Sequence, residues 1–299
     1  MAGDTVVRGS QPVEYVEEST FATAEPDTVS WKWFGLGTSW NPTQGVNQET
    51  IDYLPEFGSS NKLSKKINVK HSEMWESDLT YHPQNFDLLK FFTGTDGGVS
   101  DDLPSIQVGH IDEDNDEYQR LLGGVGEEIT VSVDEDGTFE NDGSFIFADG
   151  NDWGTTDYVG VDGSHAAEDT TEPKKYADLS NVQYGGEALD GAIESLEFSI
   201  SNDIAVTKDP DASTSSLISA LTPVDREITV DVTLTYNNFD MASEVRSYTP
   251  KDFTFDIDGT SFTISDVQFP EMPFEMTPTD LISDSVSSDP ATEISWTTA

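Results

Sequence analysis

Apolar and polar positions alternate with a period of two along most of the chain. Ile228, Val230, Val232, Leu234 and Tyr236 interleave with Thr229, Asp231, Thr233 and Thr235, which predicts a long strand with one buried and one wet face. Phe253, Phe255 and Ile257 run through Asp258-Gly259 into Phe262 and Ile264, and Asp-Gly between alternating runs is a strong hairpin signal. The phase slips at Asp266 and Val267, predicting a bulge. Further strands are expected from Val29 to Gly37, Leu63 to His71, Trp75 to Tyr81, Ile106 to Ile111, Ile129 to Val133, Phe139 to Phe147 and Ile193 to Ile200. One helix is expected from Pro83 to Gly94: proline suits its first turn, glycine its stop, and Phe86, Leu89 and Phe92 recur at helical spacing as its core contacts. A weaker helical signal covers Asp240 to Val245. Asp134 to Gly137 and Asp142-Gly143 read as hairpin turns, and Gly35-Leu36-Gly37 and Gly123-Gly124-Val125-Gly126 as turn glycines. The class predicted is mainly β: an antiparallel sandwich or barrel with one flanking α-helix and long loops.

Charge changes the picture next. The 299 residues hold 58 Asp and Glu against 14 Lys and Arg, a formal charge of -44. Phosphate binding draws its affinity from cations that displace counterions, so an unaided nucleic-acid clamp is excluded. Disorder fails as an explanation, because 35% hydrophobic and 10% aromatic residues supply a core. Self-repulsion on this scale is largely screened in molar salt, where the Debye length is about 3 Å, and the composition is that of a halophilic protein. The charge is uneven: Thr95 to Pro173 holds 22 acids and one base, whereas Lys62 to Lys70 holds four lysines and no acid. The loop-rich, acidic stretch at about 95–186 is expected as an insertion within a domain spanning 1–299, with 187–299 as a C-terminal β region that could form a second lobe.

Enzymatic patterns are missing. With no cysteine there is no disulfide or thiolate chemistry, and His71, His82, His110 and His165 show no metal-binding spacing. Phosphate-binding glycine loops and a nucleophile elbow are likewise missing, so neither catalysis nor a cofactor or metal is expected. Asp112, Asp114 and Asp116 stand like the first ligands of a calcium loop, but Glu117 replaces its glycine and Gly123 its final glutamate. Trp31 and Trp33 share a strand face, either as core and subunit interface or as a sugar platform. Lys62, Lys65, Lys66 and Lys70 read either as the guard of an exposed edge or as a contact with an acidic surface of another subunit. No apolar run approaches the roughly 20 residues that cross a bilayer, and MAGDTVVRGSQPVEY lacks the regions of a secretory signal. A soluble protein that does not engage a membrane is expected.

The order of segments resembles a known family, the major tail tube proteins of tailed viruses, and in composition those of haloarchaeal viruses. The likeness runs from YVEESTFATAEPD through WKWFGLGTSW, the polar connection Asn41 to Asn61, the pair SKKINVKH and ESDLTYHP, and the helix PQNFDLLKFFTG. It continues in YQRLLGGVGEEITVSVDEDG, ALDGAIESLEFSISNDIAV and DREITVDVTLTY. The acidic stretch from Thr95 to Pro173 is longer and more charged than the family pattern.

What the resemblance implies is a sandwich or barrel of the tail tube type, assembling as stacked, usually hexameric rings in which strands of neighbouring copies close a barrel around a lumen. Ring closure pairs strand edges that would be a liability in a monomer. The connection Asn41 to Asn61, with Tyr53, Leu54 and Phe57, would reach the next ring, and the lysine cluster would lie at a subunit interface. The implied partners are the chain itself, the tape measure, tail terminator and baseplate, in a virion tail assembled in the host cytoplasm. Viral DNA would pass a lumen of carboxylates and hydroxyls without specific binding. The competing expectation is a secreted or cell-surface halophilic β-sandwich that binds cations or polysaccharide, with an acidic-site hydrolase as a third.

Overall fold

The computed structural model describes residues 13–26, 28–53, 65–151, 153–159, 163–167, 169–189, 193–211, 217–235, 249–270 and 283–298. Among the described residues the protein is mainly β, and its main antiparallel sheet is curled. In chain order the strands are β1 (Val13–Glu17), β2 (Lys32–Trp33), β3 (Leu36–Tyr53), β4 (Lys65–His82), β5 (Gly94–Thr95), β6 (Gly98–Val99), β7 (Ile106–Asp112), β8 (Glu117–Asp134) and β9 (Glu140–Gly150). There follow β10 (Leu179–Tyr184), β11 (Glu187–Ala188), β12 (Ile193–Lys208), β13 (Ile218–Thr235), β14 (Lys251–Ile257), β15 (Thr260–Val267), β16 (Ser283–Ser287) and β17 (Glu293–Thr298).

Strand β8 organises the main sheet. One of its edges pairs with β9 over most of its length, and the other pairs first with β7 and then, past a bulge at Gly126 to Glu128, with β12. A continuous surface therefore runs β3-β4-β9-β8-β12-β13-β16, with β7-β1-β2 as a branch. The second sheet, β11-β10-β14-β15-β17, packs across it. Phe198 of β12 meets Phe255 and Phe262 of the second sheet at ring distances of 5.8 and 5.9 Å, and one apolar core joins both sheets. Residues 95–186 thus carry three strands of the main sheet ahead of the loop-rich part that begins near Asp149, and 187–299 contributes strands to both sheets.

The helix is shorter than its apolar spacing predicts. A 3-10 turn over Asp87–Leu89 leads into α1 (Lys90–Thr93), which Gly94 ends with φ at 104°. Asn85 delays the start, because its side-chain oxygen accepts the Asp87 N–H at 3.1 Å in place of a helical partner. Phe86, Leu89 and Phe92 are buried, as are Leu88 and Phe91, so this short element packs into the core on more than one face.

Two glycine runs behave differently. Gly35 and Gly37 take φ of 151° and 68° and interrupt the strand expected from Val29 to Gly37, leaving β2 with two residues. Gly123 to Gly126, expected as a turn, lies inside β8. A Cβ on Gly126 would come within 2.5 Å of the Phe92 ring, so glycine there admits an aromatic ring rather than bending the chain. Asp142-Gly143, expected as a hairpin turn, likewise sits within β9, where Gly143 lies under Phe92. Asp134 to Gly137 does form the β8–β9 turn, closed by the Gly137 N–H on the Asp134 carbonyl at 2.9 Å.

The polar connection from Asn41 was expected as an arm. Its first part belongs to β3, which runs to Tyr53 and pairs with β4 across a register shift at Asn47–Gln48, and β4 joins the two strands expected at Leu63 to His71 and Trp75 to Tyr81. Trp40 is buried and Pro42 half-buried while Asn41 and Thr43 are exposed, the two-residue period of a strand with one face on the core. The helical signal at Asp240 to Val245 lies outside the described residues.

Candidate functional site

Residues directly opposite one another in antiparallel strands share a face, so register decides which side chains form a surface. On the inner face of the main sheet the alternation delivers Leu79, Phe145, Ile129, Val131, Phe198 and Val230, all buried. The opposite face is assembled from the residues between them. One row across six strands reads Ser39, Thr80, Asp142, Thr130, Ser199, Thr229. The next reads Asn41, Asp78, Ser144, Glu128, Ser201, Glu227. A third reads Glu140, Ser132, Glu197, Asp231, Ser287. These three rows hold seven carboxylates, nine hydroxyls and one amide, with no cation and no apolar side chain. We call this surface the polar wall.

Its hydroxyls satisfy each other or the acids. Ser199 and Thr229 lie 2.7 Å apart, Thr233 and Ser285 2.9 Å, and Thr80 donates to Asp142 at 2.5 Å. A hollow of about 490 Å³ opens on the wall between Asp78, Glu128, Thr130, Asp142 and Ser144. Burial, then the charge of Glu76, pushes the Glu127 carboxyl above the usual carboxylate range; burial, then Asp231, does the same to Glu197. Cations pair elsewhere: Lys90 with Glu17 at 2.5 Å, Lys32 with Asp87 at 3.5 Å, and Lys174 with Asp258. Chemically the wall can repel anions and hold a layer of water and mobile cations.

Among the described residues no group of three or more His, Asp or Glu is placed to hold a metal ion. Asp112 closes its own turn, accepting from the Asp114 and Asn115 N–H groups at 3.1 and 3.2 Å and from the Asn115 amide at 2.8 Å. That amide bond, ahead of the backbone ones, holds its carboxyl below the usual range. No described helix is long and apolar enough to cross a membrane.

The residues singled out in the sequence are dispersed. Lys65, Lys66 and Lys70 occupy β4 opposite Tyr53, Asp52 and Gln48. Lys62, Leu54 and Phe57 lie outside the described residues. Phe86, Leu89 and Phe92 are core. Trp31 is 6% exposed, its ring 4.8 Å from Tyr158, while Trp33 is half-buried with an indole N–H that has no partner among the described residues. The wall residues themselves were not singled out, although Ser, Thr, Asp and Glu at alternate positions in 76–80, 128–132, 140–144, 197–201 and 227–231 were the signal.

The fold and the wall define a mainly β protein with a curled antiparallel sheet whose outward face is anionic. No protein-family model matches the chain, and no curated protein matches it.

Proposed function

We propose that the chain is the subunit of a viral tail tube of the haloarchaeal type, stacked as rings, hexameric by resemblance, with the polar wall facing the lumen. The observation that carries this reading is the wall: six strands wide, with seven carboxylates and no cation in its three central rows. DNA moving past it meets no counterion-releasing contact and is repelled along its path. No bond is made or broken, and no cofactor takes part. Tape measure, tail terminator and baseplate proteins are the partners in this reading, and assembly in the host cytoplasm precedes incorporation in the virion.

Open edges support assembly. Among the described residues the 18-residue β3 pairs along one side only, with β4, through 16 of its residues. Of the four large apolar residues that are exposed among those described, Val206, Leu217 and Val224 all sit on the β12–β13 hairpin or its connection, past the point where it leaves β8. Edges and apolar tips of this kind are covered when copies associate.

Electron microscopy of the purified chain in molar salt tests the reading, with rings or tubes as the expected result. A strict monomer at every salt and protein concentration, absent from virions, overturns it. Charge reversal of Lys62, Lys66 and Lys70 together is expected to weaken stacking or closure.

A further inference from the structure

Outside the wall, Glu14 on β1 is the centre of a second polar network. Its carboxylate is 1% exposed and collects three donors from one acidic excursion of the chain: the Tyr158 hydroxyl at 2.8 Å, the Ala166 N–H at 2.5 Å and His165 Nδ1 at 2.7 Å. The other ring nitrogen, Nε2, lies 3.3 Å from an Asp157 carboxylate oxygen. An imidazole that faces a carboxylate with both nitrogens can donate to both only when it is doubly protonated. His165 is then the cation paired with Glu14, and no lysine or arginine among the described residues forms an ion pair with that carboxylate.

We propose that His165 is a proton-operated latch: charged, it fastens the excursion at 153–159 and 163–167 against β1, β7 and β8, and neutral, it lets that excursion loosen. The other fastenings among the described residues are an apolar cluster, in which Tyr158, Val159 and Ala166 pack with Trp31 and Ile111, and a small set of backbone hydrogen bonds. Tyr118 and Gly154 exchange backbone hydrogen bonds of 2.7 and 3.0 Å, and the Trp31 N–H donates to the Ser164 carbonyl at 3.2 Å. The Tyr158 ring fills a slot that exists because residue 109 is glycine, where a Cβ would lie 2.2 Å from the phenol carbon. The groups facing the imidazole are Glu14 from β1, Asp157 and Tyr158 from the excursion, and Tyr118 from β8, whose ring lies parallel to it at 6.4 Å and whose hydroxyl donates to Asp116. His110 of β7 packs against Trp153 instead, and Arg120 lies over the far Trp31 ring.

Burial alone would favour neutral His165. The hydrogen bond and charge of Glu14, then the charge and hydrogen bond of Asp157, outweigh it and raise the imidazole above its ordinary value. Burial and Glu14 drive the Tyr158 phenol far upward, so it donates at every working pH. For a raised histidine the stabilisation is complete below the unfolded value of about 6.5 and disappears as pH rises through the folded value. The latch therefore opens on the alkaline side.

Amide hydrogen exchange tests this, read as protection factors at Ala166 and Gly154 from pH ~5.5 to ~9.5 in fixed molar salt, alongside the imidazole NMR titration of His165. Protection in the wild type is expected to fall by about tenfold or more through the His165 midpoint, while Val230 in the core stays constant. His165→Gln is expected to be weakly protected at low pH and flat across the range; Asp157→Asn, which keeps the fold's main contacts, is expected to move the midpoint to lower pH. Protection at Ala166 that is independent of pH, or a midpoint unmoved by Asp157→Asn, overturns the proposal. Tube formation plays no part in any of these measurements.

Discussion

Gly124 offers a direct test of how β8 packs. A Cβ added there would lie 2.3, 2.7 and 3.0 Å from three carbons of one ring, that of Phe147, and from no other group as closely. That ring is fully buried and wedged by Phe145 at 6.1 Å and Trp40 at 5.9 Å, so it has no room to retreat. Gly124→Ala should therefore cost about 1–3 kcal/mol by overpacking, against the ~0.4–1 kcal/mol that glycine-to-alanine usually gains by restricting the unfolded chain. Phe147→Ala alone leaves a core cavity and should cost about 3–5 kcal/mol. With the ring gone the obstacle is gone too, and Gly124→Ala in that background should be neutral or slightly stabilising. The double-mutant cycle should thus show a coupling of about 1–3 kcal/mol, the overpacking cost itself, outside the ~0.5 kcal/mol scatter of independent sites. Urea unfolding at constant molar salt measures all four corners. If Gly124→Ala is harmless in the wild type, or costs the same with and without the ring, the packing argument for glycine inside β8 is wrong.

Leu89, fully buried between the helix and the sheet, should not tolerate Leu89→Asp: an unpaired buried charge and a lost side chain together cost several kcal/mol, and circular dichroism should show loss of the folded state. On the wall, Asp142→Lys with Glu128→Lys should leave subunit stability within about 1 kcal/mol, since both are exposed. Tubes built from that variant should retain short duplex DNA in co-sedimentation at low salt where wild-type tubes do not; equal retention would remove the wall from the transport reading.

The strands whose buried residues alternate strictly, such as Ile228 to Leu234 and Phe253 to Ile264, were legible because each stands half in the core. Positions that obey a second, non-local demand were not. Gly124 and Gly126 carry the composition of turns, and the rings of Phe147, opposite Gly124 on β9, and of Phe92, from the helix, explain them as strand residues. The shortened helix follows from one local competitor, the Asn85 side chain, which periodicity does not weigh. The wall was legible as a chemistry but not as a surface. Its acids and hydroxyls lie on six strands separated by up to 190 positions, between Ser39 and Thr229, and only the register brings them side by side.

Register also sets how the acids are spaced. Across one row the sequence is Asp78, Ser144, Glu128, Ser201, Glu227, so a hydroxyl stands between each pair of carboxylates. Strands lie about 4.8 Å apart, which puts those carboxylate-bearing strands about 10 Å from each other. That is one Debye length at 0.1 M salt and about three at 1 M, so molar salt screens the row almost completely. Where the alternation fails, Glu197 directly opposes Asp231, and its carboxyl is raised by burial and by that neighbour. Ser201→Asp extends the failure by placing three acids side by side. Like charges directly opposite cost roughly 0.2–1 kcal/mol each, so the variant should lose about 0.4–2 kcal/mol at low salt and recover most of it at about 1 M. Ser199→Asp is the control, since its direct neighbours are Thr130 and Thr229; it forfeits a hydroxyl pair, a loss that salt does not restore. Urea unfolding of both variants at about 0.1 M and about 1 M salt separates the two effects. A Ser201→Asp penalty that does not shrink with salt, or that matches the control at both concentrations, would show that the spacing of acids on this face has no electrostatic consequence.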